Sequence, residues 1–177
     1  MNLGYRVLKP TVHKDNRGCF FESYNERLAN KIGNPVFVQN NTSVSKKGVV
    51  RGLHYQWDKP CAKLVRVVKG RIIDVIVDIR KESKENGAVK YFDLSEKNKK
   101  MLWVPAGYAH GFVSLAQESV VCYMVTERWN PKGEGTINPL DETLKVDWRI
   151  NESDLIISER DLGGISFYEY GNDPKFT

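Results

Sequence analysis

The stretch "RIIDVIVDIR", residues 71–80, decides the fold. In an extended chain, successive side chains point to opposite faces. Ile73, Val75, Val77 and Ile79 therefore share one face, and Asp74, Ile76 and Asp78 share the other. That alternation predicts a β-strand with one dry face and one polar face.

Runs of similar length surround it. "YRVLKP", "GCFFESY", "PVFVQNN", "GVVRGLHYQ", "AKLVRVVKG", "VKYFDLS", "MLWVPAG", "HGFVSLA" and "SVVCYMVTERW" follow one another, most of them punctuated by Gly, Asn, Lys or Pro. One helix is expected in "NERLANKIG", ending at Gly33. A short helical turn is expected to start at Ser158 as N-cap. Many strands with few helices predict an all-β sandwich or barrel, with residues 1–177 as a single domain.

Composition bounds the function. The chain has 177 residues, a hydrophobic fraction of 41% and 11% aromatics, as expected of a globular protein. No apolar run reaches the ~18 residues of a membrane helix, so no membrane partner is expected. "MNLGYRVLKP" has no apolar signal segment, and Cys19, Cys61 and Cys122 lack metal-type spacing. Together these predict a cytoplasmic protein with no disulfide framework. The net charge of +5 suits an anionic small molecule. "KNKK" at 97–100 reads as an exposed turn, not as a nucleic-acid tail.

The chemistry concentrates in "RGLHYQ", residues 51–56. Arg51 and His54 fall on opposite faces of a regular strand, and a bulge at Gly52 brings them together. In "YMVTERW", Tyr123, Val125, Glu127 and Trp129 share a face, so Tyr123 and Trp129 look into one cavity. His13 lies in a polar segment and reads as a surface residue. No G-x-S-x-G elbow, phosphate loop or dinucleotide fingerprint is present. Cys61 reads as a packed, inert thiol. Histidine, lysine, tyrosine and arginine around an apolar barrel permit proton abstraction next to a carbonyl, with a cation on the enolate oxygen.

"PAGYAH", residues 105–110, resembles the P-x-G-x-x-H segment of metal-binding cupin barrels. Those barrels add an H-x-H-plus-glutamate segment, whereas His54 here stands alone. Two histidines without a carboxylate ligand make a poor metal site, so no metal is expected.

A wider resemblance covers residues 4–161. "DNRGCFFESYN", "FVQNNTSVSKKGVVRGLHYQ", "KLVRVVKG", "DVIVDIRKES", "LSEKNKKMLWVPAGYAHGFVSL" and "GEGTINPLDETLKVDW" occur in the order seen in the dTDP-4-dehydrorhamnose 3,5-epimerases. The resemblance implies a cupin-like jelly-roll barrel, a homodimer and no metal or organic cofactor. It implies a dTDP-linked 4-keto-6-deoxyhexose as substrate, inverted at C3 and C5 through enolates. His54 matches the general base, Asp161 its carboxylate partner and Tyr123 the proton donor. Lys63 and Arg51 match residues near the keto sugar and diphosphate. Arg17, Glu22, Gln39, Asn41, His110, Glu134 and Arg160 match nucleotide-end positions.

Three features depart from the family. Trp129 stands where a tyrosine commonly stacks on thymine. Cys61 stands where glutamine is frequent. The tail "LGGISFYEYGNDPKFT" does not follow the usual ending. A single-centre epimerase of a related nucleotide 4-keto sugar and a non-catalytic sugar-nucleotide-binding cupin are the alternative readings.

Overall fold

A computed structural model of the protein describes residues 4–177. In chain order its strands are β1 (Arg6–Leu8), β2 (Val12–Asp15), β3 (Gly18–Phe21), β4 (Gln39–Lys46), β5 (Val50–Gln56) and β6 (Lys63–Lys69). There follow β7 (Arg71–Asp78), β8 (Val89–Ser95), β9 (Met101–Val104), β10 (Tyr108–Ser114), β11 (Glu118–Val125) and β12 (Glu134–Thr136). Short helices α1 (Glu26–Asn30), α2 (Glu159–Leu162) and α3 (Phe167–Asn172) lie outside the sheets.

One sheet has the order β1-β9-β6-β11-β4 and the second has β12-β5-β10-β7-β8, while β2 and β3 form a separate ribbon. The paired strands run antiparallel. The two sheets face each other as a cupin-like jelly roll, the all-β barrel expected of the sequence. Val65, Val67, Ile72, Ile76, Leu102, Phe112 and Val121 form its inner core.

The strand that decides the fold alternates as read, but its second face is not wet. Ile73, Val75, Val77 and Ile79 pack outward under Ile137, Leu144, Trp148 and Tyr170 from the C-terminal segment. Ile72 and Ile76 join the inner core, and Asp74 and Asp78 are fully buried with them. Buried carboxylates need partners. Asp74 finds His110, and Asp78 binds Arg80 and Ser83.

Local signals place the helices. Asn25 caps α1 by accepting from Leu28 N, and Gly33 takes φ +82° where the chain leaves the helix. Ser158 Oγ accepts from Asp161 N at 3.1 Å and starts α2. The unusual tail packs on the barrel. Ser166 and Glu169 form a capping box at α3, and buried Tyr170 donates its hydroxyl to Ile79 O at 2.9 Å. In "PVFVQNN" the strand begins only at Gln39, and β11 stops at Val125.

The bulge expected at Gly52 is present. His54 lies opposite His110, yet Arg51 lies opposite Phe112, so β5 spends one residue more than β10 over this interval. Gly52 has φ +129°, and a Cβ there would stand 2.5 Å from Gly111 Cα and 2.8 Å from His110 O. Only glycine fits both constraints. Gly52→Ala is expected to cost ~2 kcal/mol or more and to lower Tm by about 5 °C or more in a thermal melt.

Candidate active site

A cavity of about 520 Å³ opens between the sheets. That volume suits a small-molecule ligand. Eleven of the thirteen positions singled out from the sequence line it: Gln39, Asn41, Arg51, His54, Lys63, His110, Tyr123, Trp129, Glu134, Arg160 and Asp161.

One wall comes from β5. His54 Nε2 lies 2.7 Å from Asp161 Oδ1, and Asp161 Oδ2 accepts the Gly52 N–H at 3.3 Å. The Nε2 contact fixes the imidazole by its far nitrogen, so Nδ1 is the atom left to take a proton. Burial alone would raise the Asp161 carboxyl. The contacts from His54, the Gly52 N–H and Ser158 more than offset this and hold it below its usual value. Asp161 is therefore a fixed anion behind the ring. Beside it, Arg51 donates Nε to Ser45 Oγ at 3.1 Å.

The opposite wall is a ladder of inward residues across β4, β11 and β6. Gln39, Val125 and Lys63 form one rung, Asn41, Tyr123 and Val65 the next, and Ser43, Val121 and Val67 a third. Burial pulls the Lys63 ammonium below its usual value, although Cys61, Glu134 and Asp74 push the other way. Burial pushes the Tyr123 phenol up, against the influence of Arg51. The phenol thus keeps its proton at neutral pH.

The inward alternation continues beyond the end of β11, so Glu127 and Trp129 still line the cavity. At its mouth the exposed Trp129 donates Nε1 to Glu134 Oε2 at 3.0 Å, and Arg160 pairs with the same carboxylate oxygen. Cys61 also lines the cavity.

Two positions lie elsewhere. Arg17 sits at the tip of the β2–β3 ribbon, paired with Asp15 at 2.6 Å, and its side chain is 85% exposed. Glu22 accepts from Asn25 Nδ2 at 2.7 Å. Neither reaches this chain's own cavity, because the ribbon stands apart from both sheets. His110, matched above to a nucleotide-end position, lies deep in the cavity. It is buried opposite His54, with Nε2 2.9 and 3.1 Å from the two oxygens of Asp74. The sequence reading set Asp74 on a polar strand face but gave it no part in the site; its one signal was an aspartate in a strongly apolar run. Among the described residues, no three of His, Cys, Asp and Glu converge on one point.

Fold and cavity together define a cupin-like barrel with a cavity lined by a histidine–aspartate pair, a lysine and a tyrosine. The family profile described as dTDP-4-dehydrorhamnose 3,5-epimerase matches residues 3–169. A dTDP-4-dehydrorhamnose 3,5-epimerase of Methanothermobacter thermautotrophicus is 43% identical over 160 residues, covering 89% of this chain and 86% of the relative. Its Pseudomonas aeruginosa counterpart is 44% identical over 163 residues, covering 91% and 90%. A Legionella pneumophila dTDP-6-deoxy-D-glucose-3,5-epimerase, solved in complex with dTDP-4-keto-L-rhamnose, superposes with a TM-score of 0.88 at 37% identity, covering 93% of this chain and 88% of that one. The chain belongs to the dTDP-4-dehydrorhamnose 3,5-epimerase family, and it is an isomerase.

The depressed carboxyl of Asp161 has a signed consequence. Its stabilisation is present above the ordinary value of 3.8 and is lost as pH falls through the lowered one. The stability gap between wild type and Asp161→Asn is therefore expected to shrink as melts are taken from pH 6 into the acid range. A gap independent of pH would remove the charge from the account.

Proposed function

We propose that the chain inverts C3 and C5 of dTDP-4-dehydro-6-deoxy-D-glucose to give dTDP-4-dehydro-L-rhamnose. The carrying observation is that His54 and Tyr123 rise from opposite sheets into one cavity. The 4-keto group acidifies the hydrogens on C3 and C5. His54 Nδ1 takes one of these protons, and the C–H electron pair moves onto the C4 oxygen as an enolate. Lys63 supplies positive charge to that oxygen. Tyr123 returns a proton to the other face of the ring, and the carbon is inverted. The carbons end at the oxidation state where they began, so the step calls for no electron acceptor. Asp161 keeps the imidazole in one tautomer and one orientation.

The nucleotide is assigned to the mouth, with the base on the Trp129 face and arginine forks on the diphosphate. The working form is a cytoplasmic homodimer of a single epimerase domain. Arg17 and Glu22 carry the family resemblance yet lie on an exposed ribbon with Phe20, itself 67% exposed. In the dimer this ribbon serves the cavity of the second copy.

Two experiments test this. With dTDP-4-keto-6-deoxyglucose in deuterated buffer, the wild type is expected to place deuterium at both C3 and C5, read by NMR. His54→Ala and Tyr123→Phe are expected to lose epimerisation by ~100-fold or more while circular dichroism stays unchanged. Full activity in His54→Ala would refute the assignment, and deuterium at one carbon only would favour the single-centre alternative. In the second experiment, purified heterodimers pair an Arg17→Ala chain with a His54→Ala chain. They are expected to regain one working cavity, which they cannot do if Arg17 serves its own chain.

A further inference from the structure

Most polar side chains of the cavity are already engaged by the protein. Gln39 donates to Asn41, Arg51 reaches Ser45, His54 is held by Asp161, His110 by Asp74, and Trp129 and Arg160 by Glu134. The lining groups that find no hydrogen-bond partner among the described residues include Lys63 Nζ, the Tyr123 hydroxyl and Ser43 Oγ. The first two have roles in the proposed chemistry. Ser43 has none so far. Its Oγ is one of two buried side-chain polar atoms left unpaired among the described residues, and the other, Trp103 Nε1, lies outside the cavity.

A buried hydroxyl without a partner is unfavourable, so one that is retained calls for an explanation. Ser43 has apolar neighbours. It pairs with Val121, which pairs in turn with Val67, and Phe112 packs in the same core cluster as these two valines. Alanine or valine would fill this place without an orphaned hydroxyl. One staggered χ1 step carries Oγ between the cavity and the sheet.

Position indicates what the hydroxyl meets. Ser43 stands two residues beyond Asn41 on β4, one rung past Tyr123. Two strand residues span about 7 Å. The step leads away from Trp129, which follows the other end of β11. A ligand whose base lies on Trp129 and whose reacting carbons lie between His54 and Tyr123 reaches Ser43 only with the far side of its sugar. We infer that Ser43 hydrogen-bonds a hydroxyl of the hexose ring and so helps the cavity select a sugar nucleotide over a bare nucleotide. This rests on the epimerase reading given above.

The test compares wild type with Ser43→Ala by calorimetry, using dTDP-glucose and dTDP as the two probes. The variant is expected to bind dTDP-glucose ~10-fold more weakly. Its affinity for dTDP is expected to stay within about twofold, because the nucleotide half does not reach the third rung. Its ligand-free Tm is expected to equal or exceed that of the wild type, since an unpaired buried hydroxyl has gone; this also shows that the variant folds. Unchanged affinity for dTDP-glucose would overturn the inference, and so would an equal loss for both probes. Solvent-deuterium exchange by the wild type is read separately. If dTDP-glucose binding depends on Ser43 while exchange is absent, the sugar contact stands and the epimerase reading falls.

Discussion

The site depends on how closely β5 approaches β10 at Gly52. Gly52 faces Gly111, where a Cβ would likewise stand 2.7 Å from Arg51 O. Two facing glycines let the backbones come together and let β5 carry its extra residue. That residue breaks the period-two rule once. Without the break, Arg51 and His54 would point to opposite sides of the sheet, one inward and one under the C-terminal segment. The same irregularity turns the Gly52 N–H toward Asp161, the carboxylate that also holds His54. One local distortion thus aims His54 and supplies a donor to the carboxylate that orients it.

Much of this was legible in the sequence because it is local. The alternation in 71–80 and 123–129 set out strands and inward faces, and it stayed correct for Glu127 and Trp129 after the regular strand had ended. Asn25, Gly33 and Ser158 marked helix ends by cap chemistry. What stayed hidden depends mostly on distant partners. Asp74 read as part of a polar face, because an aspartate shows its burial only once its partner is in place; Asp78 is buried with local partners, Arg80 and Ser83. The partner of Asp74 is 36 residues away, and that of Asp161 is 107 away. The resemblance to a family, not periodicity, brought Asp161 into the reading at all. β12 is three residues long, and β2 lies in a polar segment, so neither announces itself.

The electrostatics of the cavity separate its charged groups by task. Burial pushes both Lys63 and Tyr123 toward their neutral forms, while Asp161 is kept charged by donors aimed at it. In the proposed reaction the neutral form is the useful one for Tyr123, while Lys63 is wanted as the ammonium. A negative charge developing beside a lysine favours the ammonium, so an enolate oxygen placed there as proposed would offset the effect of burial.

The mouth follows a different logic. Trp129, Glu134 and Arg160 satisfy one another; Trp129 and Arg160 are largely open to water, and the glutamate between them is mostly buried. Exposed pairs of this kind contribute little to stability and rearrange easily. The indole N–H is spent on Glu134, so what Trp129 has left to offer the proposed nucleotide is its ring face and not a donor. A face discriminates poorly among flat bases, since every base can stack. The deep end is the reverse: its partners come from several strands, and its unpaired groups are few and fixed by the ladder. On the proposed reading, selectivity belongs to these inner rungs, where a missing hydrogen bond is hard for water to replace, and the mouth contributes mainly affinity.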